Sequence, residues 1–261
     1  MLMKKLKGSD FMAKYGIADY GVFAWYGGFY DNDDRLRIAK DIGFLGVERL
    51  YSHGADDTLM KASQLKKLGM DFATCHDENI EYSIKWTAAL GGEYIWASVY
   101  ADEMGDAYLR QLEELGKVCK SYGIKAAVHN PLGNIVEKQE TVETVLEKCP
   151  SVYLLLDTGH LAVAGGDVKY IADTYYDRIA AYHLKGWEWS ATPNDERWYK
   201  RGRFCGIGEG NFKIDNEWVF KNALKRGFDG WIHIEHDTHL REPALDLKES
   251  FDILKKWESE I

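Results

Sequence analysis

Cysteine is scarce in this sequence: four cysteines occur among 261 residues, and no two of them form a C-x-x-C pair. Without closely spaced cysteines, neither a disulfide framework nor a zinc site built from thiolates is expected. No apolar run approaches the roughly 20 residues that span a bilayer, and the opening segment MLMKKLKGSDFMAKYG is too polar for a signal peptide. These absences predict a protein of the reducing cytoplasm with no membrane partner.

An excess of basic charge is absent as well. The chain carries 33 Lys and Arg residues against 42 Asp and Glu residues, which gives a net charge of -9 and a pI near 5.4. Surfaces that bind nucleic-acid phosphates or anionic membranes concentrate Lys and Arg. A small molecule is therefore the expected partner and nucleic acid is not, while self-association into a homo-oligomer is left open.

What the sequence does contain is a regular alternation of short strand-like runs with longer amphipathic segments, in units of roughly 30 residues. Gly43, Gly69, Gly123 and Gly227 stand where the predicted helices end, as expected of left-handed caps. The eight predicted strands lie in IADYGVFAW, GVERLY, DFATCH, YIWASVY, KAAVHN, VYLLLDTGH, IAAYHLK and WIHIEHD. Eight such units predict an α/β fold of the (β/α)8 or TIM-barrel type.

A doubly wound open sheet is the alternative fold. That fold usually carries G-x-G-x-x-G after its first strand, and no such motif occurs there. The comparable glycine cluster, GIGEG from Gly206 to Gly210, lies far along the chain with no predicted strand before it. The barrel is therefore preferred, as a single domain over residues 14–261 that follows an N-terminal tail of residues 1–13.

One segment interrupts the regular alternation. About 28 residues, GWEWSATPNDERWYKRGRFCGIGEGNFK, follow the seventh predicted strand, whereas connections in such units usually have about 2 to 6. Long loops inside compact domains are often functional. Aromatic rings such as Trp187, together with Arg203, suit the apolar faces and hydroxyls of a sugar. The alternative is that these side chains only pack the loop onto the barrel or onto a second subunit.

The predicted strands end in polar residues. Barrel active sites lie at the carboxyl ends of the strands, so side chains from several strands would meet there. A single histidine at such a position is more often a hydrogen-bonded core residue than a ligand, but convergence favours one shared site. The polar residues at these ends include Glu48, His76, His129, Asn130, Asp157, His160, His183, Lys185 and Glu235.

Strands five to eight supply a candidate set of metal ligands: His129, Asp157, His183 and Glu235. Two imidazoles and two carboxylates suit Mn²⁺, Co²⁺, Zn²⁺, Fe²⁺ or Mg²⁺, and no thiolate forces zinc. A divalent ion there would clamp a ketone and its neighbouring hydroxyl and make the α-proton easier to remove. Isomerisation, epimerisation and loss of water are all open to the resulting enolate.

Proton transfer needs a base near the substrate carbon and an acid near the leaving oxygen. The candidate catalytic residues are Glu235, His160 and Lys185, and His76 is a further candidate base. The candidate substrate-binding residues are Glu48, His76, Asn130, Trp187 and Arg203.

The ordered motifs resemble the sugar phosphate isomerase/epimerase superfamily of xylose isomerase-like TIM barrels, which includes inosose dehydratases, ketose 3-epimerases and relatives of endonuclease IV. They are GVERL, VHN, LDTGH, YHLK, GIGEGNF and GWIHIEHD, and they cover nearly the whole chain from about residue 14 onward. The resemblance implies a metal-dependent isomerase or lyase of carbohydrate metabolism. It also implies that Asp157, His183 and Glu235 are metal ligands and that His160 faces the substrate.

The sequence departs from the epimerases of this superfamily at strand five. Those enzymes have a glutamate there that pairs with the strand-eight glutamate in two-base proton exchange, whereas this chain has His129 followed by Asn130. The His-Asn pattern resembles the inosose dehydratase branch, which removes water beside a ketone. The prediction is a lyase or isomerase of a keto-sugar or keto-inositol. The alternatives are a ketose 3-epimerase or aldose-ketose isomerase of a free or phosphorylated sugar, and a sugar-binding barrel without catalysis.

Overall fold

The computed structural model describes residues 13–18, 32–237, 239 and 241–261. Nearly all of the predicted tail, residues 1–13, lies outside the described residues, as does most of the first predicted strand. Within the described residues, the first strand is Lys14–Ile17 (β1). It overlaps the predicted segment IADYGVFAW at Ile17, and residues 19–25 of that prediction lie outside the described residues.

Eight parallel strands form the main sheet, and two more form a separate hairpin. The order of the main sheet is β3-β2-β1-β10-β7-β6-β5-β4. The backbone N–H of Glu93, just before β4, donates to the carbonyl of Ala73 in β3 at 2.8 Å, so the two edges meet. The result is a nearly closed barrel in a single domain, which confirms the predicted (β/α)8 fold. The remaining strands are Gly46–Tyr51 (β2), Asp71–His76 (β3), Tyr94–Trp96 (β4), Lys125–His129 (β5), Val152–Asp157 (β6), Ile179–Leu184 (β7), Gly186–Trp189 (β8), Gly202–Cys205 (β9) and Trp231–Ile234 (β10).

The helices lie between the strands of the barrel. In α4, Tyr108, Leu112 and Cys119 are buried on one face, and this face packs against β5 and β6. The four glycines predicted as caps all have positive φ, as that prediction requires. Among the described residues, no helix has the length and apolar character needed to cross a bilayer. The helices are Asn32–Ile42 (α1), Ala55–Leu68 (α2), Ile80–Leu90 (α3), Asp106–Ser121 (α4), Gln139–Lys148 (α5), Thr158–Val163 (α6), Val168–Thr174 (α7), Trp198–Arg201 (α8), Asn216–Lys225 (α9) and Pro243–Ser259 (α10).

The inward faces of the strands form their own apolar cluster. It contains the small side chains of Ala127 and Ala181 and the large ring of Trp231, among others. Side chains two positions apart share one face of a strand. The residues that follow these three at that spacing, His129, His183 and His233, therefore also face the barrel interior. Toward the carboxyl ends of the strands, the side chains that face the barrel interior change from apolar to polar.

The long segment after β7 contains an antiparallel hairpin. β8 and β9 pair with Trp187 opposite Phe204, and Phe212 forms an isolated bridge to Trp187. Because β9 ends just before Gly206, the expectation that no strand precedes the GIGEG cluster is wrong. The cluster nevertheless follows a hairpin strand outside the parallel sheet, so it does not open a dinucleotide-binding unit.

Candidate active site

The four predicted metal ligands meet at the carboxyl ends of β5, β6, β7 and β10. One ligand atom from each of His129, Asp157, His183 and Glu235 lies within 4.8 Å of the other three. We call these four residues the mouth cluster. All but His129 are buried, and the His129 side chain is 10% exposed. The structure therefore contains a candidate metal site made of the predicted residues.

Asp157 uses one oxygen for the fold and the other for the mouth cluster. Its Oδ1 accepts the backbone N–H of His160 at 2.8 Å, and this N-cap lets α6 begin directly after β6. Its Oδ2 lies 2.9 Å from Lys185 Nζ, 3.4 Å from His129 Nε2 and 3.6 Å from His183 Nδ1. The motif LDTGH thus ends a buried strand with a carboxylate whose orientation is fixed by the next helix.

Two neighbouring residues support this arrangement. Asn130 donates from Nδ2 to the Asp157 carbonyl at 3.1 Å, and its Oδ1 accepts the Asp157 N–H at 2.9 Å. Both polar atoms of this buried amide therefore position Asp157, and the predicted contact of Asn130 with substrate stays a prediction. A Cβ on Gly159 would lie 2.4 Å from Lys185 Cγ, so the glycine of LDTGH leaves room for that side chain.

Lys185 is fully buried among carboxylates. Its Nζ lies 2.9 Å from Asp157 Oδ2, 2.5 Å from Glu235 Oε2 and 3.2 Å from Asp237 Oδ2. Burial lowers the pKa of Lys185, but the three carboxylates outweigh this effect and hold the pKa well above its usual value. The side chain is therefore an ammonium group at neutral pH, able to donate a proton rather than to accept one.

His183 lies between two carboxylates. Its Nε2 is 2.9 Å from Glu48 Oε1, and its Nδ1 is 2.8 Å from Glu235 Oε2. Burial lowers the pKa of His183, but the charges of Glu48 and Glu235 outweigh it and raise the pKa well above its usual value. Glu48 is 1% exposed and also accepts hydrogen bonds from Tyr94 and Trp96. The structure makes Glu48 a partner of a candidate ligand, and its predicted contact with substrate stays a prediction.

His160 lies beside the mouth cluster as a neutral donor. Its Nδ1 accepts the backbone N–H of Leu132 at 3.0 Å, so its proton is on Nε2, which lies 3.8 Å from Asp157 Oδ2. Burial lowers the pKa of His160 to about 3, so the ring is uncharged at neutral pH. Its ring packs edge-on against Phe204, with centroids 4.6 Å apart.

His76 is not part of the mouth cluster. Its ring packs edge-on against Tyr51, with centroids 4.9 Å apart, at the ends of β2 and β3. Burial, followed by the charge of Arg49, lowers the pKa of His76, so the ring is neutral. Its predicted roles in binding substrate and as a base stay predictions.

The hairpin reaches the site through Phe204 rather than through the predicted residues. Trp187 is fully buried and packs beside its cross-strand partner Phe204, with ring centroids 4.8 Å apart. Neighbouring residues of a strand point to opposite faces, so Arg203 points away from Phe204. Arg203 pairs with Glu188 and lines a separate cavity of about 510 Å³. The structure brings neither Trp187 nor Arg203 to the mouth cluster.

Several side chains at the site are missing from the predictions. The Trp96 ring lies 4.7 Å from that of His129 and 5.9 Å from that of His183. The Tyr94 hydroxyl lies 3.2 Å from His233 Nε2. The segment YIWASVY resembles an apolar strand, and only the two-residue spacing of its rings hints that both face inward. A cavity of about 200 Å³ borders this part of the site, with a lining that includes Trp96, Tyr108, His129, Pro131 and Asn134.

The mouth cluster fits a divalent cation. Both nitrogens of His183 and Glu235 Oε2 are buried and make no well-aligned hydrogen bond, although a carboxylate or the Lys185 ammonium lies 2.5 to 2.9 Å from each of them. Buried polar atoms with poorly aligned contacts are costly unless something binds them. In addition, the carboxylates of Asp157, Glu235 and Asp237 share the ammonium group of Lys185. A divalent ion would add positive charge among these carboxylates and bind the poorly aligned atoms.

In this (β/α)8 barrel, imidazoles and carboxylates gather at the carboxyl ends of the strands, so the candidate metal site lies where barrel enzymes have their active sites. The chain belongs to the xylose isomerase-like TIM barrel family, whose model matches residues 36–257. The predicted family resemblance is confirmed.

An inosose dehydratase from Bacillus velezensis is 29% identical to this chain over 209 residues, which cover 77% of this chain and 66% of that relative. The chain thus spans about two thirds of the length of this relative and about half the length of other proteins of the same name.

Two solved structures share the fold. The probable 3-DHS dehydratase AsbF of Bacillus anthracis, involved in petrobactin synthesis, is 16% identical, with a TM-score of 0.67 and coverage of 93% of this chain and 98% of that chain. The IOLI protein, solved with a bound zinc atom, is 16% identical, with a TM-score of 0.66 and coverage of 95% of this chain and 97% of that chain. At these identities the likeness establishes the fold of the barrel.

Proposed function

We propose that this chain is a divalent-metal-dependent lyase that removes water from a keto-inositol or keto-sugar, as an inosose dehydratase does. The observation that carries the proposal is the convergence of the four residues of the mouth cluster beside the Lys185 ammonium. Relatives named inosose dehydratase and a neighbour in fold named as a probable dehydratase support the same class of reaction. The activity and the substrate are proposed rather than transferred from these relatives, because the chain matches only part of their length.

The proposed ligands of the ion are His129, Asp157, His183 and Glu235. When bound, the ion would polarise the substrate carbonyl and make the neighbouring C–H more acidic. The IOLI protein binds zinc. A mixed nitrogen and oxygen set also suits manganese, cobalt, iron and magnesium, so all five ions stay within the proposal.

Three side chains would transfer protons or bind a substrate oxygen: Glu235, Lys185 and His160. A Glu235 oxygen removes the proton from the carbon beside the ketone, and the electron pair of that C–H bond moves toward the carbonyl. Lys185 then gives a proton to the hydroxyl on the next carbon, which leaves as water with the electrons of its C–O bond, so that a carbon–carbon double bond remains. His160 offers its Nε2–H to a substrate oxygen. Lys185 suits its role because neighbouring carboxylates keep it protonated beside the mouth cluster.

A cavity of about 200 Å³ borders the mouth cluster at His129. Its lining includes the Trp96 ring, an apolar wall suited to the C–H face of a sugar or cyclitol, and the polar side chain of Asn134. Cytoplasmic location and a homo-oligomeric state remain predictions.

Epimerisation by two carboxylates is the less favoured reaction. It requires a second carboxylate at the end of β5, where this chain has the imidazole of His129. A sugar-binding barrel without catalysis would account for the cavity. It would not account for a buried ammonium held within 2.9 Å of two carboxylates of the mouth cluster.

The test follows a keto-inositol by NMR in D₂O, with protein stripped of metal and then reloaded with Zn²⁺ or Mg²⁺. The expected result is loss of water from the substrate only after reloading. Deuterium uptake beside the ketone without loss of water would favour an epimerase, and ligand-dependent thermal shifts without turnover across a panel of keto-sugars would favour a binding protein.

A Lys185→Gln variant keeps all four proposed ligands. It is expected to lower kcat by about 10²- to 10⁴-fold while bound metal is retained. The matched control is Lys148→Gln, which removes an exposed lysine at the end of α5 and should leave turnover unchanged. Turnover by Lys185→Gln at the rate of the unmodified chain would remove Lys185 from the mechanism.

A further inference from the structure

We infer that Asn216 is a positioning residue for Lys185: its side-chain amide holds the backbone of Lys185 at the end of β7 and so keeps the ammonium group directed at the mouth cluster. Asn216 is the first residue of α9 and is neither a proposed ligand nor a proposed proton donor. The inference rests on the proposed function and deepens it, because it names a residue that would act on the substrate only through Lys185.

Lys185 stands where the chain leaves the barrel. β7 ends at Leu184 and β8 begins at Gly186, so Lys185 is the single residue between the parallel sheet and the hairpin. Lysine carries its charge on a long, flexible stem. A fixed backbone at this junction is therefore one condition for a fixed ammonium group beside the mouth cluster.

The amide of Asn216 bonds the backbone at this junction. Its Nδ2 donates to the Lys185 carbonyl at 2.8 Å, and its Oδ1 accepts the Thr158 hydroxyl at 2.5 Å. Chemistry fixes the orientation of the amide, because a carbonyl oxygen can only accept and the amide nitrogen can only donate. Asn216 is 3% exposed and Thr158 is fully buried, so both bonds lie away from solvent.

The same network reaches the strand end that carries Asp157. Thr158 begins α6 directly after Asp157, and its hydroxyl also lies 3.1 Å from the His183 carbonyl. The amide of Asn216 thus connects the backbone of Lys185 to the residue next to Asp157, whose Oδ2 lies 2.9 Å from Lys185 Nζ. Both polar atoms of this amide are used outside its own helix. Its bonds therefore set the relative position of the ends of β6 and β7.

Two residues enclose the Lys185 side chain beyond its backbone. A Cβ on Gly159 would lie 2.4 Å from Lys185 Cγ and 2.9 Å from Lys185 Cδ, so the stem passes directly over this glycine. The centroid of the Phe204 ring lies 4.4 Å from Lys185 Nζ. Because the side chain is enclosed, the position of the ammonium group follows the position of the backbone. A shift of that backbone would move Nζ without removing any proposed ligand.

Replacement of Asn216 by leucine tests the inference, because leucine has a similar size and no hydrogen-bonding group. In Asn216→Leu, kcat for loss of water is expected to fall by about 10- to 100-fold, the scale that follows from misplacing a catalytic group by about 1 Å. KM and the Kd for Zn²⁺ should stay unchanged, and a thermal melt verifies that the variant is folded. The matched control is Asn222→Leu, which removes the same amide from the same helix and should leave all three constants unchanged.

A second measurement separates positioning from general damage to the site. NMR of the substrate in D₂O gives the rate of deuterium uptake beside the ketone, the proposed step of Glu235, and the rate of loss of water, which needs Lys185. The ratio of deuterium uptake to loss of water is expected to rise by about tenfold or more in Asn216→Leu, as it should in Lys185→Gln. An equal fall of both rates would overturn the inference, as would an unchanged kcat.

If Asn216→Leu does not fold, two variants of Thr158 decide. Thr158→Val removes the hydroxyl that holds the amide and should raise the ratio, whereas Thr158→Ser keeps a hydroxyl and should give the ratio of the unmodified chain. Equal ratios in these two variants would overturn the inference. If the unmodified chain neither takes up deuterium nor removes water from a keto-inositol or keto-sugar, the proposed function itself fails. If it removes water and the ratio does not rise, only the role of Asn216 fails.

Discussion

In the part of the chain that the structure describes, two groups of histidines and carboxylates have similar compositions and different surroundings. The second group, which we call the rim cluster, consists of His236, His239 and Asp246. There, Asp246 Oδ2 lies 3.0 Å from His236 Nδ1 and 2.8 Å from His239 Nδ1. Asp246 Oδ1 accepts from Arg241 Nε at 3.0 Å, and His236 Nε2 lies 3.0 Å from Ser250 Oγ. Protein groups therefore already contact both oxygens of the rim carboxylate.

The mouth cluster differs from the rim cluster in what its atoms contact. His183 Nδ1 and Glu235 Oε2 are buried in contacts that are not well-aligned hydrogen bonds, whereas Asp246 receives both hydrogen bonds and the positive charge of Arg241. A buried carboxylate that is paired with a guanidinium needs no ion for charge balance. Residue types alone thus do not define a metal site. Poorly aligned ligand atoms, and three carboxylates gathered around one ammonium group, distinguish the mouth cluster from the rim cluster.

The largest expected effect is on bound metal. Asp157→Ala removes a charged ligand from the mouth cluster and should abolish stoichiometric binding of the ion, measured by ICP-MS on protein purified with metal present. Asp246→Ala makes the same chemical change in the rim cluster and should leave the metal content as it was. If Asp246→Ala loses the metal and Asp157→Ala keeps it, the metal site is the rim cluster and not the mouth cluster. If the unmodified chain binds no metal, neither cluster is a metal site.

An intermediate effect is expected on stability. Asp246→Asn breaks a buried, charged network and should lower the free energy of unfolding at pH 7 by about 3 kcal/mol, measured by urea denaturation. Asp252→Asn, an exposed change on the same helix, is the control, with an expected loss of less than about 1 kcal/mol.

The same variant has a predicted pH dependence. Burial would raise the pKa of Asp246, but hydrogen bonds from His236 and His239 outweigh it and hold the pKa well below its usual value. A folded-state pKa below that of the unfolded chain stabilises the fold above about pH 4, and this contribution is lost as the pH falls further. The difference between Asp246→Asn and the unmodified chain should therefore shrink in acid. A difference that stays constant from neutral pH to pH 3 would contradict the assigned network.

The smallest effect is expected from the hairpin. Arg203 is partly exposed and paired with Glu188 on the outer face of β9, so Arg203→Ala should change stability by less than about 1 kcal/mol and leave KM nearly unchanged. Phe204→Ala on the opposite face should raise KM, because this ring packs against His160 and Lys185. Steady-state kinetics on both variants is the measurement. A large rise in KM for Arg203→Ala would restore its predicted role in binding substrate.

Much of the barrel can be predicted from the sequence because its signals are local. The predicted segments GVERLY and DFATCH coincide with β2 and β3, since each is bounded by a helix that ends in glycine or by polar residues. The start of the first strand at Lys14 is missed because the aromatic run after Ile17 resembles a strand more strongly than Lys14–Ile17 does. The hairpin is missed for a different reason: β8 and β9 are four residues each and lack the short turn that marks a hairpin.

The candidate metal ligands could be predicted because each stands at or near the end of a recognisable strand. Their partners could not, because those contacts depend on distances across the barrel. Glu48 can contact His183 only once β2 and β7 face each other across the barrel. Trp96 carries a hydrogen-bond donor, but in the sequence it looks like an ordinary apolar core residue. Residue identity thus reveals the ligands, whereas closure of the barrel determines the groups that orient them.

The two oxygens of Asp157 have a consequence for any redesign of this protein. One oxygen caps α6 and the other faces the mouth cluster, so rotation of this carboxylate toward a new ligand would also release the start of the helix. The junction between β6 and α6 therefore sets the orientation of this carboxylate. Under the proposed function, substrate preference would therefore be changed at residues that line the site, such as Trp96 and Phe204. A substitution of Asp157 would alter both the start of α6 and the proposed metal site.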